Sequence, residues 1–265
     1  KKTWATFQVG KGSADVSVSK LDEIPDRIFG MIVGGILQPK MLKDFWPAIM
    51  HYLIFFGFVT VSIGTVESLL HGISGGSFDF SVLLGKGILY KFFLASQDLG
   101  NAAVCIAILW AYFRRLIVKP ARLSKLDEHS RKDAYIVLGF ILALVVTALL
   151  YMGAKTRGIP ETQLPAEALP VSGFLSGLAG SAFGISSPEG WSLMGSVFWW
   201  THVLVLFSFS AFLPFSKHQH FIWVWPNMLF RSLKARGRIA PMTFDEKAES
   251  FGIGKIEDFS WKQLL

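Results

Sequence analysis

Apolar and polar positions alternate along this chain in long blocks, not at the two-residue spacing of half-buried strands. Four blocks reach the roughly 20 residues that a bilayer crossing needs, at 48–70, 92–118, 134–152 and 196–215. The pattern predicts an all-α fold, a polytopic transmembrane helix bundle, because only helices of this length satisfy every backbone group inside lipid. Ser74-Gly75-Gly76-Ser77 ends the first block. The second is polar in its first half, with Ser96, Gln97, Asp98 and Asn101, and those groups are predicted to face the bundle interior or a cavity. The third is unbroken and aliphatic and reads as a lipid-facing structural helix. Residues 153–195 read as a long loop rich in Gly, Pro and Ala, with 171–183 too short to span and lying along the outer interface as a lid. Residues 21–44 mix charged and apolar positions around Pro25 and Pro39, as an amphipathic surface helix does. The predicted organisation is a cytoplasmic segment at 1–47, a bundle at 48–222 and a cytoplasmic tail at 223–265.

Composition agrees with this pattern. The chain is 52% hydrophobic with a mean hydropathy of +0.45, too apolar for an ordinary soluble domain. Cys105 is the one cysteine, which excludes an intrachain disulfide and any four-cysteine iron–sulfur cluster within this sequence. A net charge of +7 would suit nucleic acid, but its distribution assigns it to topology. All but four of the 26 Lys and Arg lie in the N-terminal segment, the 114–133 connector and the tail beyond Phe215. The exceptions are Lys86, Lys91, Lys155 and Arg157, in the two remaining loops. Basic residues mark the cytoplasmic side, so both termini of the chain are predicted to be cytoplasmic. The chain opens Lys1-Lys2-Thr3, without Met or a signal peptide, and a preceding segment with a fifth helix is expected.

Histidine is costly in an apolar helix unless something uses it. His202 and His220, 18 residues apart, leave one helix face about 27 Å apart, near the thickness of the hydrocarbon core. A helix with two hydrogen-bonded interfacial histidines would show the same spacing. His51 and His71 stand at the two ends of the first block, which runs antiparallel to the fourth. His51 can therefore face His220 at the inner level and His71 can face His202 at the outer level. Two stacked histidine pairs in a bundle suit two b-type haems. Two positions fit less well. His71 is about 200° around the helix from His51, so Gly72 or the 64–65 region would have to re-aim it. His218, an alternate to His220, is about 160° from His202. His129 sits in the charged connector and is expected to be solvated. Zinc is a poor alternative, because no Cys or carboxylate cluster accompanies these histidines.

The run His202 to His220 with Pro214-Phe215-Ser216-Lys217 resembles the last helix of the nitrate reductase gamma subunit. Ser216-Lys217-His218-Gln219-His220 is similar also to the membrane-bound heterodisulfide-reductase-like iron–sulfur oxidoreductases. So is Gly35-Ile36-Leu37-Gln38-Pro39-Lys40 followed by Pro47, His51 and Phe55-Phe56-Gly57-Phe58. The resemblance covers residues 30–71 and 195–230. It implies haem b, with His51 and His220 on an inner haem and His202 on an outer one. It also implies a bacterial or archaeal cytoplasmic membrane. The chain departs from the gamma subunit at Val61, which stands where that subunit has its second ligand, and His71 is the nearby substitute. The sister group usually continues into a domain with four-cysteine clusters, so iron–sulfur clusters are expected only in a further domain or a partner.

The expected function is a haem b membrane domain of a quinone-linked oxidoreductase. Electrons would pass between a cytoplasmic iron–sulfur or flavin partner, such as an electron-transfer flavoprotein, and menaquinone or ubiquinone. The expected partners are membrane lipids, quinone and those redox subunits, not nucleic acid. A quinone needs an apolar slot with a few polar groups for its carbonyls. Lys86, Asp98, Glu67 and Gln97 are the candidates, near His71 and the level of His202. A proton-conducting transporter and a structural anchor subunit are the competing classes. Arg231, Lys234, Arg236 and Arg238 in the tail suit an acidic partner or anionic lipid.

Overall fold

The computed structural model describes residues 23–158, 168–216, 219–231, 233 and 255–256. Among them there are helices and turns and no strand. The chain divides into two compact units, residues 41–219 and residues 1–40 with 220–265.

In the larger unit four helices are long and apolar enough to cross a membrane. They are α2 (Phe45–Ile73), α4 (Ile88–Phe113), α6 (Glu128–Gly158) and α8 (Pro188–Phe212). Short helices α3 (Ser81–Leu84), α5 (Ala121–Ser124) and α7 (Pro170–Ala182) lie between them. Before them comes α1 (Ile24–Met31), and after them α9 (His220–Leu229); both belong to the smaller unit.

Local chemistry sets the helix ends. Gly75 at φ 64 closes α2, with Gly76 N–H donating to His71 O at 2.8 Å and Gly75 N–H to Gly72 O at 3.2 Å. This is a Schellman cap, and a side chain at Gly75 would be strained. Ser187 caps α8 by accepting from Gly190 N at 3.1 Å, and Pro188 follows it at the first helical position. The cap of α7 comes from another helix. Asp98 of α4, fully buried, accepts from Val171 N at 2.8 Å, from Ser172 N at 2.9 Å and from the Ser172 hydroxyl. A carboxylate there satisfies orphan N–H groups and complements the positive end of the helix.

The long helices pack in sequence, α2 on α4, α4 on α6 and α6 on α8, with α7 laid against α6. The main core lies between α4 and α6, where Val104, Ile108 and Ala111 meet Val137, Ile141 and Val145 under Phe209 of α8. Phe140 stacks on Phe209 with ring centres 5.3 Å apart. Small residues bring α6 close to its neighbours. A Cβ on Gly153 would fall 2.0 Å from Ser172 O of α7, and Ala154 is fully buried against Trp191 and Met194 of α8.

This corrects two readings of the sequence. The third apolar block is the centre of the bundle, not a lipid-facing strut. An aliphatic surface looks the same in sequence whether lipid or protein covers it, and Gly153-Ala154 marks the packed side. Residues 153–195 are also not one long loop. Gly153 is a packing residue inside α6, which runs to Gly158, and α7 and α8 occupy most of the rest. Conversely α2, which carries His51 and His71, buries only Ala48.

In the smaller unit α1 packs on α9. Arg27, 6% exposed, donates to Leu229 O at 3.1 Å and Arg231 O at 2.9 Å, and pairs with Glu23 at 2.7 Å. It thereby satisfies carbonyls at the end of α9. Gly34, in the π-helical stretch Ile32–Leu37 after α1, lets Met228 approach, since a Cβ there would fall 2.1 Å from its Cε.

Candidate functional site

A cavity of about 450 Å³ opens in the larger unit between α2 and α8, with α4 and α6 as its floor. Among the described residues α2 and α8 do not pack along their lengths. One bridge joins them where the Trp199 indole N–H donates to Ser68 Oγ at 3.0 Å and its ring lies over Gly72. The helices that carry His71 and His202 are therefore held apart, and the slot between them is lined mainly by Val61, Leu144, Val145, Leu206 and Phe207.

His202 is 9% exposed and lines this slot. Its Nδ1 lies 3.1 Å from Leu144 O and 3.1 Å from Thr147 Oγ1. A carbonyl can only accept, so Nδ1 carries a proton, and in the neutral ring Nε2 then keeps its lone pair. Thr147 in turn donates to Ala143 O at 2.7 Å. Among the described residues His202 Nε2 meets no protein partner. A ring fixed through Nδ1–H on a backbone carbonyl, with Nε2 left available, is how proteins present a histidine to a metal.

His71 also lines the cavity and also donates from Nδ1, to Phe78 O at 2.9 Å. Its Nε2 differs in accepting a hydrogen bond from Lys155 Nζ at 3.3 Å. Lys155 and Thr147, the contacts of His71 and His202 on α6, are eight residues apart, a rise of about 12 Å. The structure thus brings both histidines to one cavity but not to one level. Val61, where the family resemblance puts a second ligand, does line the cavity, but its side chain has no lone pair.

The other expected residues divide. Glu67 and Gln97 line the cavity. Glu67 Oε1 accepts from Phe80 N at 2.9 Å and from the Tyr90 hydroxyl at 3.2 Å. Gln97 is 4% exposed and packs against Gly64. Asp98 is outside the cavity wall, because its carboxylate caps α7. Lys86 is exposed in the turn before α4 and also lies outside the wall. His129 is exposed in the first turn of α6. His51 is half-buried, stacked on Phe55 with ring centres 6.2 Å apart, and does not line the cavity. His220 opens α9 in the smaller unit. His218, Lys234, Arg236 and Arg238 lie outside the described residues.

Sequence reading missed Lys155, Tyr151 and Thr147, all on α6. Ending the third span at 152 made Lys155 a loop charge. Its spacing of four from Tyr151 and eight from Thr147 is the helical signal that places all three on one face. Among the described residues no three of His, Cys, Asp and Glu converge as a metal cluster, whereas an axially held cofactor asks only for single histidines.

The chain is 32% identical over 245 residues to the probable iron-sulfur-binding oxidoreductase FadF of Bacillus subtilis (strain 168), covering 91% of this chain and 32% of that protein. It is 26% identical over 251 residues to the EtfAB:quinone oxidoreductase of Syntrophomonas wolfei subsp. wolfei (strain DSM 2245B / Goettingen), covering 94% of this chain and 34% of that protein. The chain thus spans about a third of the length of the curated relatives it matches. No family model matches the chain. No solved structure matches it significantly.

Proposed function

We propose that this chain is the haem b membrane domain of a quinone-linked oxidoreductase. Electrons pass between a cytoplasmic iron–sulfur or flavin partner, of the electron-transfer flavoprotein kind, and menaquinone or ubiquinone. The observation that carries this reading is His202, with Nδ1 fixed by Leu144 O and Thr147 and Nε2 without a partner among the described residues, in an apolar slot of a membrane bundle. The relatives' names, an iron–sulfur-binding oxidoreductase and an EtfAB:quinone oxidoreductase, support the class of reaction.

The residues fit haem in this way. His202 would hold the outer haem through Nε2, with Leu144 O and Thr147 setting the ring's orientation and basicity. Val61, Leu206 and Phe207 give the slot its apolar lining. His51 of α2 would supply a ligand to the inner haem. When bound, haem supplies one-electron transfer, which lets a two-electron ring exchange electrons singly with a soluble partner. His71, about 12 Å along α6 from the His202 contact and bonded to Lys155, serves the polar end of the cavity.

The reading is tested by a reduced-minus-oxidised spectrum of the purified protein. A b-type band is expected, and no such band in a folded preparation overturns the proposal. His202→Ala should remove one haem's share of the band and His51→Ala the other's. His71→Ala should leave haem content at the wild-type level. A loss in His71→Ala equal to that in His202→Ala would return His71 to the ligand set.

A further inference from the structure

The cavity's end at His71 holds two ionisable groups of opposite sign that do not pair with each other. Lys155 Nζ donates to His71 Nε2 at 3.3 Å and lies 5.8 Å from the Tyr151 ring centre. Among the described residues no carboxylate forms an ion pair with it. Glu67 is anchored separately. Both of its hydrogen bonds, from Phe80 N and the Tyr90 hydroxyl, fall on Oε1, so Oε2 has no partner among the described residues. The remaining carboxylate in the wall, Asp79, is occupied by Ser81, whose N–H donates to its Oδ1 at 2.8 Å.

An ionisable pair within a membrane-spanning bundle normally joins directly, since water cannot solvate the separate charges. Here each partner is tied to its own anchor while both line one apolar cavity. That arrangement suits a ligand presenting an acceptor and a donor on an otherwise apolar ring. We propose that Lys155 and Glu67 are the donor and acceptor that hold a quinone at the His71 end of the cavity. The Lys155 ammonium donates to a carbonyl oxygen of the oxidised ring, and Glu67 Oε2 accepts from a hydroxyl of the reduced ring. The two groups thus bind both redox states, and His71 positions Lys155 by accepting from it. This inference rests on the quinone-linked reading and deepens it by naming Lys155 as the donor and Glu67 as the acceptor.

The test uses the full chain in detergent and a hydroxyquinoline N-oxide, a fluorescent quinone analogue, titrated to obtain Kd, with haem content measured in every variant. Lys155→Met is expected to weaken binding at least tenfold at unchanged haem content, and Glu67→Gln at least several-fold. Lys155→Arg keeps the cation and should stay within threefold of wild type, as should Lys86→Ala at the exposed lysine. Binding within twofold of wild type in Lys155→Met overturns the proposal. Should that variant fail to fold, unchanged binding in the near-isosteric Glu67→Gln overturns it instead. A wild-type protein that binds no analogue sinks the quinone-linked reading itself, an outcome separate from a wild type that binds and variants that bind equally well.

Discussion

Single side chains in this bundle are committed to structure or left available, and the difference is visible in their bonds. Asp98 has the marks of a functional acid in the sequence, an ionisable group in an apolar helix beside Gln97 and Asn101. In the structure it is consumed by Val171 and Ser172, 73 and 74 residues away. Spacing within one helix cannot reveal a partner on another, so the burial of this stripe was legible and its use was not. Asp98→Asn should lower stability by about 1–3 kcal/mol, because it weakens a charge-assisted cap while leaving buried N–H groups in place. Thermal unfolding in detergent with and without the substitution checks this, and an unchanged midpoint would deny the cap its role. His202 is the opposite case. Its location in an apolar block was evident from sequence, but the availability of Nε2 depends on Leu144 and Thr147 of α6, which only the fold supplies.

At the level of elements, the four spans were legible because length and hydropathy alone set them, and the described helices begin three to eight residues before the apolar blocks. Their roles were less legible. The most aliphatic block became the hub, and the block richest in candidate ligands became the least buried helix. Apolar periodicity records that a surface avoids water, not what covers it. Small residues are the better guide, as Gly153 at the contact of α6 with α7 shows. Gly153→Leu should separate these helices, since a Cβ alone would stand 2.0 Å from Ser172 O. It should therefore expose the 170–182 segment to limited proteolysis at rates well above wild type. Equal cleavage rates in the two proteins would show that the seam tolerates the added bulk.

For the whole molecule, the distribution of basic residues gives an orientation. We propose that position 122 faces the cytoplasm and the 170–187 segment the opposite side, following the positive-inside asymmetry. In a Cys105→Ser background, a cysteine at 122 should resist a membrane-impermeant maleimide in intact cells and one at 178 should react. The reverse pattern would invert the topology and with it the side assigned to the proposed redox partner.

The cavity draws its walls from Phe58 near the start of the bundle to Ser210 near its end. Order of synthesis then becomes a constraint on assembly. Until α8 has left the ribosome the slot lacks the wall that carries His202 and the Trp199 tie to α2. Occupation of this site by the proposed haem would therefore await the synthesis of α8, and a nascent bundle arrested before α8 would lack the His202 wall that holds it.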